Sequence, residues 1–135
     1  MNDTVKLIRR YFAAFNDGNI GDMLDCLDDG VVHDVNQGER RQGKKAFAAF
    51  CRHMARCYAE QLHDIVIMSN DDGSRASAEF VVEGRYLADD EGLPPADGQT
   101  YRLPAGTFFE IGNGRIRRVT TFYNLQEWIR QVQGP

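Results

Sequence analysis

The chain has 135 residues and a mass of 15.3 kDa, so we expect residues 1–135 to form a single domain around one hydrophobic core. Hydrophobic residues make up 42% and charged residues 27%, which is typical of globular proteins and argues against long disordered segments. The formal charge of -4 provides no broad positive field, so we expect no binding to nucleic acid. The chain lacks a run of about 20 apolar residues, and its N-terminal segment lacks the apolar run of a signal peptide. We therefore expect a cytoplasmic protein that does not contact membranes.

The first half of the chain predicts three amphipathic helices and one short strand. The first helix begins near Thr4 and ends at the sequence NDGN, and its apolar residues recur at steps of three and four. Asn19 is expected to cap the second helix. The sequence VVHDVN has the β-branched content of a strand, and Gly43 opens the third helix. The buried stripe of this third helix is predicted to contain Phe47, Phe50, Cys51, Met54 and Tyr58.

After about residue 62 the apolar pattern changes to a period of two, which predicts four strands. Their sequences are LHDIVIMSN, SRASAEFVVEGRYL, TYRLPAGTFFEI and RIRRVTTFY. A longer polar loop, ADDEGLPPADGQ, separates the second of these strands from the third, and Asn124 caps a short C-terminal helix. Helices followed by an antiparallel meander predict an α+β domain, in which the helices cover one face of the sheet and leave a cavity between the layers.

This order of elements resembles the nuclear transport factor 2-like superfamily, and several segments resemble its ketosteroid isomerase-related, polyketide cyclase-like branch. The sequence RRYFAAFNDGNIGDML resembles the first helix and turn of that branch, including a tyrosine at Tyr11. The sequence VVHDVNQGERRQG resembles its catalytic strand, with Asp34 nine residues before Gly43. The resemblance implies a cone-shaped fold, in which three N-terminal helices pack on a curved mixed or antiparallel sheet that encloses a pocket.

The resemblance also implies catalytic roles for Asp34 and Tyr11. A carboxylate that points from a strand into an apolar cavity has a raised pKa and can act as a general base. A phenol that points inward from the first helix could donate to the oxyanion formed when a proton next to a carbonyl is removed. The alternatives are a turn or cap carboxylate for Asp34 and a core aromatic for Tyr11. Strand alternation places His33 on the face opposite Asp34.

Two positions depart from the family pattern. Gly106 stands where the family has its second oxyanion donor, and Cys51 stands where the family has a supporting tyrosine. We therefore predict that Tyr123 supplies a second hydroxyl. Alternation predicts that Pro104, Gly106 and Phe108 face the cavity together with one face of the last strand. The predicted substrate-binding residues are Tyr123, Phe108, Gly106, Thr121, Val119, Phe80, Val82, Phe50 and Met54.

Other charged segments have simpler interpretations. Glu83 and Arg85 are interpreted as an ion pair on the outward face, with a catalytic pair as the alternative. The sequence ERRQGKK is interpreted as a solvated loop and helix start, with attraction of an anionic substrate as the alternative. The three histidines show no spacing typical of a metal site. We predict neither a metal nor a cofactor.

These observations favour a cofactor-free isomerase or lyase that moves a proton next to the carbonyl of a small apolar molecule. The alternatives are a polyketide cyclase-like or dehydratase-like reaction in the same pocket, and a small-molecule binding module without catalysis. Apolar residues on the outer sheet face, such as Val81 and Leu87, predict a homodimer that forms through the sheet.

Overall fold

The computed structural model describes residues 2–36 and 38–134 and confirms the predicted α+β class. The elements in chain order are α1 (Asp3–Asp17), α2 (Ile20–Asp25), β1 (Leu27–Val35), β2 (Arg41–Gln42), α3 (Lys44–Cys57), β3 (Tyr58–Ser69), β4 (Arg75–Tyr86), β5 (Thr100–Gly112), β6 (Arg115–Tyr123) and α4 (Leu125–Gln133). The short strand β2 is an element that the sequence pattern did not predict. No helix within these described ranges is both long and apolar enough to cross a membrane.

Local hydrogen bonds explain where the helices begin and end. The side chain of Asn2 accepts from the backbone N–H of Val5 at the start of α1, which is typical of a helix N-cap. Gly18 ends α1 in the left-handed conformation, with φ of 70°. Asn19 and Asn124 accept backbone N–H groups at the starts of α2 and α4, so the two predicted caps are confirmed.

The six strands form one mixed sheet in the order β2-β1-β6-β5-β4-β3. β1 runs parallel to β6, and the other neighbouring strands are antiparallel. The two edge strands, β2 and β3, are the ones that α3 connects in the chain, and α3 contacts β1, β2 and β3. The helix therefore lies across the inner face of the sheet between its two edges.

The helices bury their apolar stripes in two clusters on the inner face of the sheet. The larger cluster joins α1, α2 and α3 to the sheet through Ile8, Phe12, Leu27, Phe47, Phe80, Phe109, Ile116 and Val119, among others. The smaller cluster surrounds Trp128 of α4 and contains Tyr86, Tyr101, Leu103 and Val132. Burial of each large apolar side chain contributes about 1.5–3 kcal/mol to stability. The space left between the two clusters is where the candidate site lies.

Candidate functional site

A cavity of about 240 Å³ lies between the inner face of the sheet, α3 and α4. Each of the six strands contributes at least one side chain to its wall. The loop between β4 and β5 closes the cavity with Asp90 and Leu93, so this long polar segment is part of the site. A second cleft, of about 350 Å³, shares Met54, Tyr58 and Glu60 with the cavity.

Glu60 brings a carboxylate into the wall of this largely apolar cavity. Its carboxylate oxygen Oε2 accepts a hydrogen bond of 2.5 Å from the hydroxyl of Tyr101. Burial raises the pKa of the Glu60 carboxyl, and the hydrogen bond from Tyr101 offsets part of this increase. The site therefore contains a carboxylic acid with higher proton affinity than a solvated glutamate, a property that is common among general acids and bases.

A glycine makes the contact between Glu60 and Tyr101 possible. Gly84 on β4 is paired with Glu60 on one side and with Tyr101 on the other. A Cβ atom at Gly84 would lie 2.5 Å from the hydroxyl oxygen of Tyr101, a distance too short for unbonded atoms. Because Gly84 has no side chain, the Tyr101 ring can extend across β4 to the carboxylate on β3.

A second polar network connects the end of α3 to the loop after β4. His53 Nε2 lies 2.9 Å from Asp90 Oδ1, and the hydroxyl of Tyr58 donates to Asp90 Oδ2 at 2.7 Å. The hydroxyl of Tyr86 accepts from the Asp90 backbone N–H at 3.0 Å and donates to the carbonyl of Pro94 at 2.7 Å. These bonds fix the loop against the cavity and orient the imidazole of His53.

The same region contains the one group of described residues whose atoms could together hold a metal ion. The ligand atoms of His53, Cys57 and Asp90 lie within 4.8 Å of one another. The spacing of histidines along the sequence does not predict this group, because Asp90 comes from a distant loop. In the structure, hydrogen bonds from His53 and Tyr58 satisfy the Asp90 carboxylate, and burial raises the pKa of the Cys57 thiol.

Arg41 of β2 adds a positive charge to the wall of the cavity. The central carbon of its guanidinium lies 4.6 Å from the centre of the Phe50 ring, which is within the range of a cation–π interaction. Arg41 forms no ion pair with any of the described residues. The cavity thus contains acidic groups, a cation and several hydroxyls.

Comparison with known proteins identifies the family of this fold and cavity. Residues 8–119 match the model of the SnoaL-like domain. The chain belongs to the SnoaL-like domain family. The resemblance to the nuclear transport factor 2-like superfamily and its polyketide cyclase-like branch is confirmed. A search among proteins with curated descriptions found no match.

Three solved bacterial structures share this SnoaL-like fold along nearly the whole chain. A proposed polyketide cyclase from Pseudomonas putida KT2440 is 59% identical, with 98% of each chain covered and a TM-score of 0.94. A second, from Xanthomonas campestris pv. campestris, is 52% identical, with 96% of each chain covered and a TM-score of 0.93. A third, from Silicibacter sp. TM1040, is 54% identical, with 97% of this chain and 96% of that chain covered and a TM-score of 0.95.

The prediction that Asp34 points into the cavity of this SnoaL-like domain is wrong. Asp34 lies on the outer face of the sheet, where Arg40 donates two hydrogen bonds to it, at 2.8 and 3.0 Å. Thr120, its partner across the parallel pair with β6, donates a third at 2.8 Å. The hydrogen bond from Arg40 is the main reason that the pKa of Asp34 is lowered, whereas the predicted role needs a raised pKa.

The alternation of β1 explains this placement. Val31 and His33 are buried, and Val35 lines the cavity, so these three residues face inward and Asp34 faces outward. The His33 ring packs 4.5 Å from the ring of Phe47. The expectation that His33 faces away from the core is therefore also wrong. Burial lowers the pKa of His33 to about 4, and the charge of Arg41 contributes to the shift.

Tyr11 lies in the hydrophobic core, which is the alternative considered for it from sequence. Its ring packs edge-to-face against Phe12 and Phe109, with centroids 5.5 and 5.9 Å away. Burial raises the pKa of its hydroxyl. Tyr11 is not among the residues that line the cavity, and Asp34 lies on the opposite side of the sheet, so the predicted pair does not meet at a common site.

The predicted substrate-binding residues divide into three groups. Tyr123, Val82, Phe50 and Met54 line the cavity. Val119 and Phe80 lie in the core, while Thr121 shares a hydrogen bond of 3.1 Å with Thr107. Gly106 and Phe108 lie on the outer face, where the Phe108 side chain is 48% exposed, so their predicted position, like that of Pro104, is wrong. The prediction for β5 was shifted by one residue: Leu103, Thr107 and Phe109 are the ones that face inward.

The outward position predicted for Glu83 and Arg85 agrees with the structure, although their partners differ. Glu83 forms an ion pair with Arg102 on the neighbouring strand, with a nitrogen–oxygen distance of 2.5 Å. Arg85 donates to the backbone carbonyl of Gly98 at 3.2 Å. Neither residue lines the cavity.

Sequence reasoning missed Glu60 and Asp90, although the first had a usable signal, and it considered the segment ERRQGKK, which contains Arg41, only as an alternative site for attraction of an anionic substrate. In the sequence YAEQL, Tyr58, Glu60 and Leu62 are two residues apart and therefore share one face of a strand. This spacing places a carboxylate on an otherwise apolar strand face. Gly84 within the strand pattern EGR is a second signal, because an interior glycine often marks a close approach. Asp90 and Arg41 lie in polar segments that have no apolar periodicity, so the sequence does not indicate which side chains face the cavity.

Proposed function

We propose that this SnoaL-like protein is a proton-transfer enzyme in which Glu60 removes a proton next to a carbonyl group of a molecule bound in the cavity. The observation that carries the proposal is the partly buried Glu60 carboxylate, whose pKa is raised and whose orientation is held by Tyr101. As in the prediction from sequence, we propose that the reaction needs no cofactor. Asp34 and Tyr11 have no catalytic role in this proposal.

The geometry of Glu60 suits a general base. Tyr101 holds Oε2, which leaves Oε1 free to accept a proton from a bound ligand. A carboxylate in a cavity with few solvent molecules is a stronger base than one in water, because burial disfavours its charged form. The proton taken by Glu60 can then be returned to another carbon or to an oxygen of the same molecule.

Two groups in the cavity wall could stabilise the oxyanion that forms on the carbonyl oxygen. The hydroxyl of Tyr123 forms no hydrogen bond with the described residues, and burial raises its pKa, so it stays protonated and can donate. His53 is the second candidate, since Asp90 holds its ring at the cavity wall. Donors already oriented toward the developing charge typically contribute about 2.7–4 kcal/mol each to transition-state stabilisation.

The same first step supports either an isomerisation or a ring closure. Removal of a proton next to a carbonyl produces an enolate, which can be reprotonated elsewhere or can attack a second carbonyl. Three relatives that are 52–59% identical are proposed polyketide cyclases, and this similarity favours ring closure. A dehydration that follows the ring closure would use the same acid and base.

The proposal is tested by hydrogen exchange of ketones in deuterated water. The purified protein and its Glu60→Gln and Asp34→Asn variants are incubated with a panel of small cyclic ketones and 1,3-diketones, and the loss of the proton next to the carbonyl is followed by NMR. We expect Glu60→Gln to lower the exchange rate by about 10²–10⁴-fold, and Asp34→Asn to retain the wild-type rate. The wild-type rate should rise with pH as Glu60 loses its proton.

Two results would contradict this proposal. Equal loss of exchange in both variants would show that the outer face, or the fold as a whole, controls the rate. Absence of exchange over the whole panel, with ligands that still raise the melting temperature, would favour a binding module without catalysis.

We also propose that two copies pair through the outer face of the sheet. Phe108 and Phe122 are 48% and 45% exposed and pack against each other, and Val66 and Met68 extend the surface toward the edge at β3. We call these four residues the outer apolar patch. Exposed apolar groups of this size on a sheet favour association.

A further inference from the structure

Two consecutive arginines lie on opposite sides of the sheet edge. Arg40 points outward and is neutralised by Asp34 at 2.8 Å. Arg41 is paired with His33 across the strands, shares its inward face, and lines the cavity. The sequence ERRQG therefore supplies one solvated, neutralised cation and one cation directed toward the site.

The environment of Arg41 leaves its charge available to a ligand. Phe50 covers one face of the guanidinium, while none of the described acidic side chains forms an ion pair with it. The neighbouring ring of His33 is buried, and its pKa of about 4 makes it neutral at pH 7. The Arg41 guanidinium is therefore free to pair with an anionic group of a molecule that enters the cavity.

The acidic groups of the cavity do not cancel this preference. Asp90 is held by Tyr58 and His53, and Glu60 accepts a hydrogen bond from Tyr101, so each carboxylate has a partner other than Arg41. Glu60 also lies on β3, at the sheet edge opposite to β2.

We infer that the natural ligand is an apolar molecule of one or two rings that carries a carboxylate, and that Arg41 binds this carboxylate. A planar guanidinium matches a carboxylate through two parallel hydrogen bonds. The cavity of about 240 Å³ is smaller than the ~300–1,000 Å³ of sites for drug-sized ligands, which limits the ligand to this size. The inference rests on the proposed function, since it takes the cavity as the reaction site and directs the reacting carbon toward Glu60.

The test compares 2-naphthoate with its uncharged isostere 2-naphthamide by calorimetric titration of the wild type, Arg41→Met and Arg40→Met. Methionine retains the apolar stem of arginine and removes its charge. We expect the wild type to bind naphthoate at least 10-fold more tightly than naphthamide. Arg41→Met should weaken naphthoate binding by roughly 10- to 100-fold and should change naphthamide binding by less than about 3-fold. Arg40→Met is the matched control and should leave both affinities unchanged.

Several results would overturn the inference. These are equal wild-type affinity for the two probes, no binding of naphthoate at millimolar concentration, or an equal loss of naphthoate binding in Arg40→Met. Naphthamide binding by Arg41→Met shows whether this variant keeps a folded cavity. Loss of naphthamide binding equal to the loss of naphthoate binding in Arg41→Met would show that the substitution disrupts the cavity and that the charge is not what recognises the carboxylate.

The binding test and the exchange test fail independently. A carboxylate preference at Arg41 without ketone exchange would leave the ligand class standing and remove the proposed reaction. Exchange that depends on Glu60, combined with equal affinity for the acid and the amide, would keep the reaction and remove the ligand class.

Discussion

The pKa values of carboxyl groups shift in opposite directions on the two faces of the sheet. On the outer face, Asp34 accepts hydrogen bonds from Arg40 and Thr120, and its pKa is lowered. On the inner face, Glu60 accepts one hydrogen bond from a tyrosine in a mostly apolar wall, and its pKa is raised. The difference shows that a carboxylate in a strand becomes a candidate base through its surroundings, because burial and partners act in opposite directions.

The outer face of the sheet carries a polar network beside the outer apolar patch. Asp34 belongs to a chain of polar contacts in which Thr120 joins it to Arg118, and Arg118 bonds to Glu110 at 2.7 Å. This network lies beside the outer apolar patch, since Thr120 is paired with Phe108. A charged network next to exposed aromatic rings is typical of an association surface.

The largest expected effect tests whether the outer face serves assembly. We predict that Phe122→Glu weakens the proposed dimer by at least about 100-fold, because an unpaired carboxylate would be buried in an apolar interface. Analytical ultracentrifugation over a concentration series measures this change. Ala13→Glu, on an exposed position of α1, adds the same charge away from the sheet and should leave the assembly intact.

If the wild type is a monomer over the whole concentration range, the proposed dimer is wrong. Exchange activity should be preserved in Phe122→Glu, since Phe122 lies on the face opposite to the cavity. Loss of exchange in this variant would show that the two faces depend on each other.

The second effect concerns acid stability on the inner face. Burial lowers the pKa of His33 from 6.5 to about 4, and its Nδ1 has no hydrogen-bond partner among the described residues. The neutral form is therefore favoured in the folded state. The stabilisation of the folded state that comes from neutral His33 is fully present above pH 6.5. It is lost as the pH falls toward 4, which lowers the free energy of unfolding by up to about 3 kcal/mol.

We predict that His33→Phe loses less free energy of unfolding between pH 7 and pH 4.5 than the wild type. Urea titrations at the two pH values measure the difference, and His63→Gln, at an exposed position, controls for the loss of a histidine. The same pH dependence in His33→Phe and the wild type would show that His33 is not the acid-sensitive group.

The third effect compares two glycines, one on each face. A Cβ atom at Gly84 would lie 2.5 Å from the Tyr101 hydroxyl, whereas a Cβ atom at Gly106 would find its nearest neighbour, the carbonyl oxygen of Ala78, at an ordinary 3.5 Å. We predict that Gly84→Ala destabilises the protein by about 1–3 kcal/mol, because the Tyr101 ring must move. Gly106→Ala should cost less than about 1 kcal/mol.

Chemical denaturation measures the loss of stability in Gly84→Ala and in Gly106→Ala. The exchange assay measures the effect of Gly84→Ala on Glu60. Displacement of Tyr101 removes its hydrogen bond to Glu60, so Gly84→Ala should also alter the pH dependence of exchange. Equal stability of the two alanine variants would contradict the role given to Gly84.

Much of the fold follows from local patterns in the sequence. The helical period of Phe50 and Met54 and the strand period of Val82 predict side chains that do line the cavity. The caps Asn19 and Asn124 are also confirmed. These predictions succeed because periodicity and capping depend on residues only a few positions apart.

The faces of β1 and β5 were not predictable in this way. A strand offers two faces, and a shift of one residue exchanges them. In β1 both sets contain valine, so apolar content does not distinguish the set with His33 from the set with Asp34. In β5 the adjacent Phe108 and Phe109 give the same ambiguity.

The sequence by itself determined the α+β class, the order of the elements other than β2, and a cavity wall built partly from Phe50, Met54, Val82 and Tyr123. Only the tertiary structure decided which charged residues enter that cavity. It brought Asp90 to His53 across 37 positions, placed Glu60 beside Tyr101 through the gap at Gly84, and separated Arg41 from Arg40. The physical reason is that pKa values and ion pairs depend on distances between remote segments, which strand pairing sets and local sequence patterns do not contain.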